Sequence, residues 1–308
     1  MASSDTSGTV VLDFGAHLLP TADEEDPTYR DIDVAHERFT AGGVDGAVLS
    51  WSRYIGSDDV EGTRRANDTL LEVIEGRESY YGLAALPSGA GGEAAAREFE
   101  RCLDAGWNGG AIETSANGIR ATDGEMEPVY EVADDAGAPL LLHPKVHDSL
   151  GPGVLDDDYL LNSVFGREVA LCETVWRLIH DGFLDRYPDF TPVVHHSGGN
   201  IATMLGRVRV KMPGDPPEGL KSADEFEAQL RERVYLDTSG YGGDPVVLGP
   251  ALDVFSASNV MLGSDYPYEA RTGEDFRAII AGIESVASPD EVDRILGGNA
   301  LDVLVNVD

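Results

Sequence analysis

Four histidines and one aspartate, His17, His143, His195, His196 and Asp265, each stand just past a short apolar run. Imidazole and carboxylate are the side chains that hold a divalent metal or pass a proton near neutral pH. The runs, Val10 to Phe14, Leu140 to Leu142, Pro192 to Val194 and Val260 to Gly263, have the length and composition of buried strands, and helical patterns fill the gaps between them. Five residues spread over most of the chain can meet only in a closed fold that gathers strand ends. That is the sequence form of a (β/α)8 barrel, an α/β fold whose active sites lie at the C-terminal ends of its strands.

The remaining elements follow in order. A helix through Ala35, Phe39 and Ala41 stops at Gly42-Gly43, and a second strand runs from Gly46 to Ser50. Asp59 to Gly76 reads as helix and Tyr80 to Leu86 as strand; Glu93 to Ala105 then reads as helix, Gly109 to Glu113 as strand, and Met126 to Asp135 as helix. The segment from Pro144 to Gly166 is too long for an ordinary loop and is expected to cover the barrel mouth. Arg167 to about His180 reads as helix, strands follow near 192–194, 234–236 and 260–263, and a last barrel helix and a C-terminal helix end the chain. No linker or short repeat divides it, so one domain over 1–308, with an ordered core of about 9–305, is expected.

The net charge of -34 comes from 56 acidic against 22 basic residues, while the hydrophobic fraction of 42% is that of a globular protein. The acids are spread over the whole length and lysine is nearly absent (Lys145, Lys211, Lys221), as on the surface of a protein from a salt-loving organism. Such a surface disfavours a nucleic-acid ligand. Only Cys102 and Cys172 occur, both inside helical patterns, so no disulfide framework is expected. Met1 to Thr9 lacks an apolar leader core, and no stretch approaches ~18 apolar residues, so no membrane span is expected and a cytoplasmic location is. A homodimer is expected only on the frequency of that assembly.

Four short motifs in order, Asp13-Phe14-Gly15-Ala16-His17, His143-Pro144, His196-Ser197-Gly198-Gly199 and Gly263-Ser264-Asp265-Tyr266-Pro267, with Gly298-Asn299-Ala300 near the end, resemble the amidohydrolase superfamily. The resemblance is to its amidohydrolase-2 branch, which contains aminocarboxymuconate-semialdehyde decarboxylase. It implies a divalent metal, Zn²⁺ or else Mn²⁺, on His17, His143 and Asp265, with His196 and Asp265 as the catalytic pair. Where the family opens with His-x-His, this chain has Gly15, so one ligand is missing, and water or a shifted His195 would replace it. Three protein ligands with an open position still make a workable catalytic site.

The resemblance further implies a non-oxidative decarboxylase acting on a small unsaturated or aromatic carboxylic acid. The same residues would serve a hydrolase of a lactone, amide or ester, with an activated water attacking the carbonyl. A metal-free or degenerate barrel that binds a ligand is the third reading. Arg53, Lys145 and His147 follow strand ends and could clamp a substrate carboxylate; Tyr54, Glu113, Asp237 and Tyr241 face the same mouth. His36 and His180 lie in helical patterns as surface or packing residues, and Trp51, Trp176, Tyr159 and Phe165 are either core or an aromatic pocket. No phosphate-cradling or dinucleotide motif occurs.

Overall fold

The structure, a computed structural model, describes residues 10–21, 24–150, 153–155, 158–212 and 214–307. Eight strands form one parallel sheet in sequential order: β1 (Leu12–His17), β2 (Gly46–Ser50), β3 (Tyr80–Ala85), β4 (Gly109–Glu113), β5 (Pro139–His143), β6 (Thr191–Val194), β7 (Tyr235–Asp237) and β8 (Val260–Met261). Backbone hydrogen bonds from Phe14 N to Leu262 O (2.7 Å), His17 N to Tyr266 O (2.7 Å) and Asp265 N to Gly15 O (2.8 Å) join the last strand to the first and close the barrel. The nine main helices are α1 (Ile32–Gly42), α2 (Val60–Ile74), α3 (Gly92–Asp104), α4 (Glu127–Ala136), α5 (Arg167–His180), α6 (Leu205–Lys211), α7 (Ala223–Arg233), α8 (Pro245–Phe255) and α9 (Gly273–Val286). Local chemistry sets their ends: Ser222 with Glu225 and Thr272 with Asp275 form capping boxes, and Gly43 and Gly137 end α1 and α4 in the left-handed region.

Strand residues alternate between two apolar layers. Ala47, Leu49, Leu140, Leu142 and Leu236 pack outward against the helices, whereas Phe14, Val48, Leu83, Ala111, Leu141, Val193 and Met261 form a separate cluster inside the barrel. Continuing the inward row past the strand ends gives Ser50, Glu113, His143, His195 and Asp237. On β1 the register slips between Asp13 and Ala16, which turns Gly15 and then His17 inward.

The expected barrel and its element order are found, with differences at the ends. Strand β8 is only two residues long, and the expected C-terminal helix runs through residues 289–303 with a π turn at 294–298. Within it, Asn299 donates to Ala257 O (2.6 Å) and Val260 O (2.7 Å) and so pins the start of β8. Trp51 is core, at 3% exposure, while Tyr159 and Phe165 of the long segment point outward at 97% and 57%. His36 binds Tyr80 and His180 stacks on Phe226, both as packing residues.

Asp13 stitches the seam of the barrel. Fully buried, it accepts from Ser264 N (3.0 Å), Gly15 N (3.2 Å) and the Ser264 hydroxyl, and burial, opposed by the Ser264 hydrogen bond, pushes its carboxyl up to about 7. Asp13→Ala, which leaves these donors without an acceptor, is expected to lower stability by about 2–4 kcal/mol in urea melts. Asp13→Asn, which keeps the acceptor, should lose less than half as much. An equal loss for both would show that charge, not acceptance, holds the seam.

Candidate active site

The strand ends bring His17, His143, His195, His196 and Asp265 together at the barrel mouth. His17 is fully buried; its Nδ1 lies 2.8 Å from Ser50 Oγ and its Nε2 3.2 Å from Asp265 Oδ1. His195, also fully buried, sits with Nδ1 2.6 Å from Asp237 Oδ2 and 3.0 Å from Ser239 Oγ, and its Nε2 lies 3.5 Å from the same Asp265 oxygen. The His143 ring stacks on His195 at 5.5 Å and stands edge-on to His17 at 5.3 Å. His17 Nε2 and His195 Nε2 stand near Asp265 Oδ1 without a hydrogen bond to it. Together with His143 Nδ1, these buried nitrogens have no hydrogen-bond partner among the described residues. A buried orphan imidazole nitrogen is costly in a closed protein but is what a metal site needs before the ion arrives. One ligand atom each from His17, His143 and His195 lie within 4.8 Å of one another, as do those from His195, His196 and Asp265. The donor set therefore fits a borderline divalent ion such as zinc or manganese.

His196 occupies a different place. Residues 196–200 all take left-handed backbone angles, beginning with His196 at φ 51° and Ser197 at φ 51°. This turn carries the His196 ring past the inward row, with Nε2 3.9 Å from Asp265 Oδ2 and Nδ1 3.0 Å from Glu168 Oε1. Glu168, in the first turn of α5, in turn accepts from Tyr241 OH at 2.9 Å. Gly240, at φ 87°, permits this approach, since a Cβ there would lie 2.9 Å from His196 Cβ.

Electrostatics sorts the acids from the bases. Burial alone would raise the Asp265 carboxyl, yet the imidazoles of His17, His195 and His196 hold it well below the ordinary carboxylate range. Burial likewise opposes the charged forms of His195 and His196, but Asp237 and Asp265 hold His195 up at about 10, and Asp265 and Glu168 raise His196. His143 is pushed well below its usual range by burial and by the neighbouring His17 and His195, and so stays neutral, as a metal ligand must. In the absence of a cation the cluster thus holds an ionised Asp265 beside a protonated His195, with His196 raised next to them.

Other expected residues are placed elsewhere. Arg53 pairs with Glu24, and His147 bonds Ser149 Oγ and Gly118 O. Lys145 is exposed and faces Glu113. Sequence reasoning gave no role to Glu168, Ser50, Ser239 or Tyr268, whose ring stands edge-on to His17 at 5.8 Å. Ser50 alone carried a signal, since it continues the inward row of β2; the others lie on helices and loops. A largely apolar cleft of about 800 Å³, lined by Phe165, Cys172, Trp176 and Met204, also includes Glu168 and Tyr241, which stand behind His196.

Burial pushes the Glu113 carboxyl up to about 7 from its ordinary 4.5, against Lys145 and Arg167. The native state then binds the proton more tightly than the unfolded chain, so stability should fall as pH rises from about 4.5 to about 7. Glu113→Gln removes this dependence. It should melt like the parent at pH 5 and be more stable by up to about 3 kcal/mol at pH 8, and identical melting curves at both pH values would contradict the assignment.

The sequence profile of the amidohydrolase family matches residues 12–304. Across 91% of the chain and 78% of the relative, the sequence is 25% identical to a 2-amino-3-carboxymuconate-6-semialdehyde decarboxylase of Dictyostelium discoideum. It is 28% identical to a gamma-resorcylate decarboxylase of Polaromonas sp. strain JS666, over 68% of this chain and 67% of the other. Among solved structures, 2,6-dihydroxybenzoate decarboxylase from Rhizobium superposes with a TM-score of 0.83 at 20% identity, covering 96% and 98% of the two chains. A dihydroxybenzoic acid decarboxylase from Polaromonas sp. JS666, solved with manganese and the inhibitor 2-nitroresorcinol, superposes at 0.78 and 21% identity, covering 96% and 97%.

Proposed function

The chain belongs to the amidohydrolase family, and from that premise we propose that it is a metal-dependent, non-oxidative decarboxylase of a small aromatic or unsaturated carboxylic acid. The observation that carries the reading is the set of unpartnered imidazole nitrogens on His17, His143 and His195, two of them 3.2 Å and 3.5 Å from one oxygen of an ionised Asp265, with His196 beside its other oxygen. The decarboxylases that match over most of the chain support the choice of reaction, and their named substrates, resorcylates and a carboxymuconate semialdehyde, are the compounds to try first.

His17, His143 and Asp265 would hold the ion, zinc or manganese. When bound, it supplies a Lewis acid that neutralises and orients the substrate's oxygen atoms. The protein's own residues manage the proton. His196, whose affinity for a proton is raised by Asp265 and Glu168, donates one from Nε2 to the carbon that bears the carboxylate, and the carbon–carbon bond then breaks to release CO₂. Glu168 accepts the His196 Nδ1 proton in a hydrogen bond and fixes the ring, and Tyr241 fixes Glu168. Burial of the cluster excludes bulk water from the protonated intermediate that loses CO₂.

The other parts of the reading are coarser. Among the described residues no helix is long and apolar enough to cross a membrane, and we place the protein in the cytoplasm of a salt-loving organism as a homodimer with a small carboxylated substrate. The abundance of acids supports the salt-loving origin, and the exposed Val164, Phe165, Val169 and Met204 beside the cleft support the pairing. Raising KCl from about 0.2 M to about 2 M should raise the melting temperature by screening the acidic surface; a fall would remove the halophile reading.

The activity is tested by supplying manganese or zinc and following CO₂ from 2,6-dihydroxybenzoate and related acids in D₂O. One deuterium should enter the product at the carbon that lost CO₂. His196→Asn should lower kcat by about 10²–10⁴ while leaving metal content unchanged. Turnover of lactones or esters without CO₂ release from any acid would instead establish the hydrolase.

A further inference from the structure

We infer that His195 is a metal ligand in this chain, delivered by β6 into the space that Gly15 leaves empty on β1, and that Asp237 is the residue that positions it. The inference rests on the metal-dependent reading above and deepens it.

Three observations converge. First, the inward row of β6 runs from Val193 to His195, so alternation alone aims His195 at the barrel axis and leaves His196 to the turn. Second, the space is exclusive. A Cβ at position 15 would lie 2.8 Å from Asp237 Oδ2 and 3.0 Å from His195 Cε1, so the His195 ring and its carboxylate partner stand where a side chain on residue 15 would begin. A side chain at position 15 would therefore crowd His195 and Asp237 out of their present places. Third, the ring is prepared for ligation. With Asp237 at 2.6 Å from Nδ1, that nitrogen keeps its proton, and Nε2 is the one left to face a cation. A carboxylate behind a histidine in this way fixes the tautomer and raises the basicity of the ligating nitrogen.

The spacing agrees. His17 Nε2 and His195 Nε2 lie 3.2 Å and 3.5 Å from one oxygen, Asp265 Oδ1. Neighbouring ligand atoms about a tetrahedral ion with bonds of about 2.1 Å are about 3.4 Å apart. His196 faces the other oxygen at 3.9 Å and is tied to Glu168, so it stays outside the ligand set. The glycine is therefore half of an exchange whose other half is His195, the first histidine of the His195-His196 pair.

The test is Mn²⁺ binding to the full-length protein, stripped with chelator and kept in high salt. Kd is read from the electron paramagnetic resonance of free Mn²⁺, and coordinated imidazoles are counted from nitrogen hyperfine coupling. Wild type should bind one ion with three imidazoles. His195→Ala should weaken binding by at least about tenfold and leave two imidazoles. Asp237→Ala should weaken it by about 10–100-fold with three imidazoles retained, and Asp237→Asn, which can still accept from Nδ1, should recover part of that loss. Gly15→His alone should not tighten binding, whereas Gly15→His combined with His195→Ala should restore three imidazoles and most of the affinity. His195→Gln stands in should His195→Ala lose its fold by circular dichroism.

His195 variants that bind Mn²⁺ within about twofold of wild type, with an unchanged imidazole count, would overturn the assignment. So would a Gly15→His variant that gains an imidazole while His195 keeps its own. Failure of the wild type to bind either Mn²⁺ or Zn²⁺ would remove the metal-dependent reading itself, and this assignment with it.

Discussion

Everything at the barrel mouth is arranged around one buried carboxylate. Asp265 is 3% exposed, and imidazoles reach it from β1, from β6 and from the turn after β6. A carboxylate at that depth is tolerable only with compensating positive charge. In the metal-free protein a protonated His195 supplies it, with His196 raised beside it, and a bound cation would take over that part. The same requirement explains why Asp237 and Glu168 stand behind the rings: each extra carboxylate keeps one imidazole oriented and basic without entering the centre.

Holding these groups in place demands unusual backbone. His196, Ser197, Asn200 and Asp265 all lie at positive φ without being glycine, each at a cost of order 1–3 kcal/mol. The seam between β8 and β1 offsets the strain at Asp265, because its own amide donates to Gly15 O and the neighbouring Ser264 is held by Asp13. The turn after β6 is in turn braced through His196 N, which donates to Ser239 Oγ at 3.1 Å. Fold and site are thus one construction, for the hydrogen bonds that close the barrel also aim its reactive groups.

Much of this was legible in the sequence because a barrel turns linear order into angular position. Apolar runs predicted the strands, and the residue after each run predicted His17, His143 and Asp265 at the mouth. Alternation within the runs also separates His195 from His196, a distinction that motif matching blurs by favouring the histidine nearest the glycines. Glu168 was not legible, since it comes from the first turn of a helix after a long irregular segment and meets His196 only in three dimensions. Nor was the fate of Arg53, whose partner Glu24 lies in an acidic loop where the pattern gives no contact. The aromatic residues show the same limit: Trp51 and Phe165 look alike in sequence, and only packing sends one to the core and the other to the surface.

The central claim is that this mouth is a metal centre, and elemental analysis of protein purified in high salt without chelator tests it most directly. The account predicts about one equivalent of zinc or manganese per chain, lost when His17 is replaced by alanine. Protein that carries no divalent metal as purified and takes up none from excess zinc or manganese would contradict it.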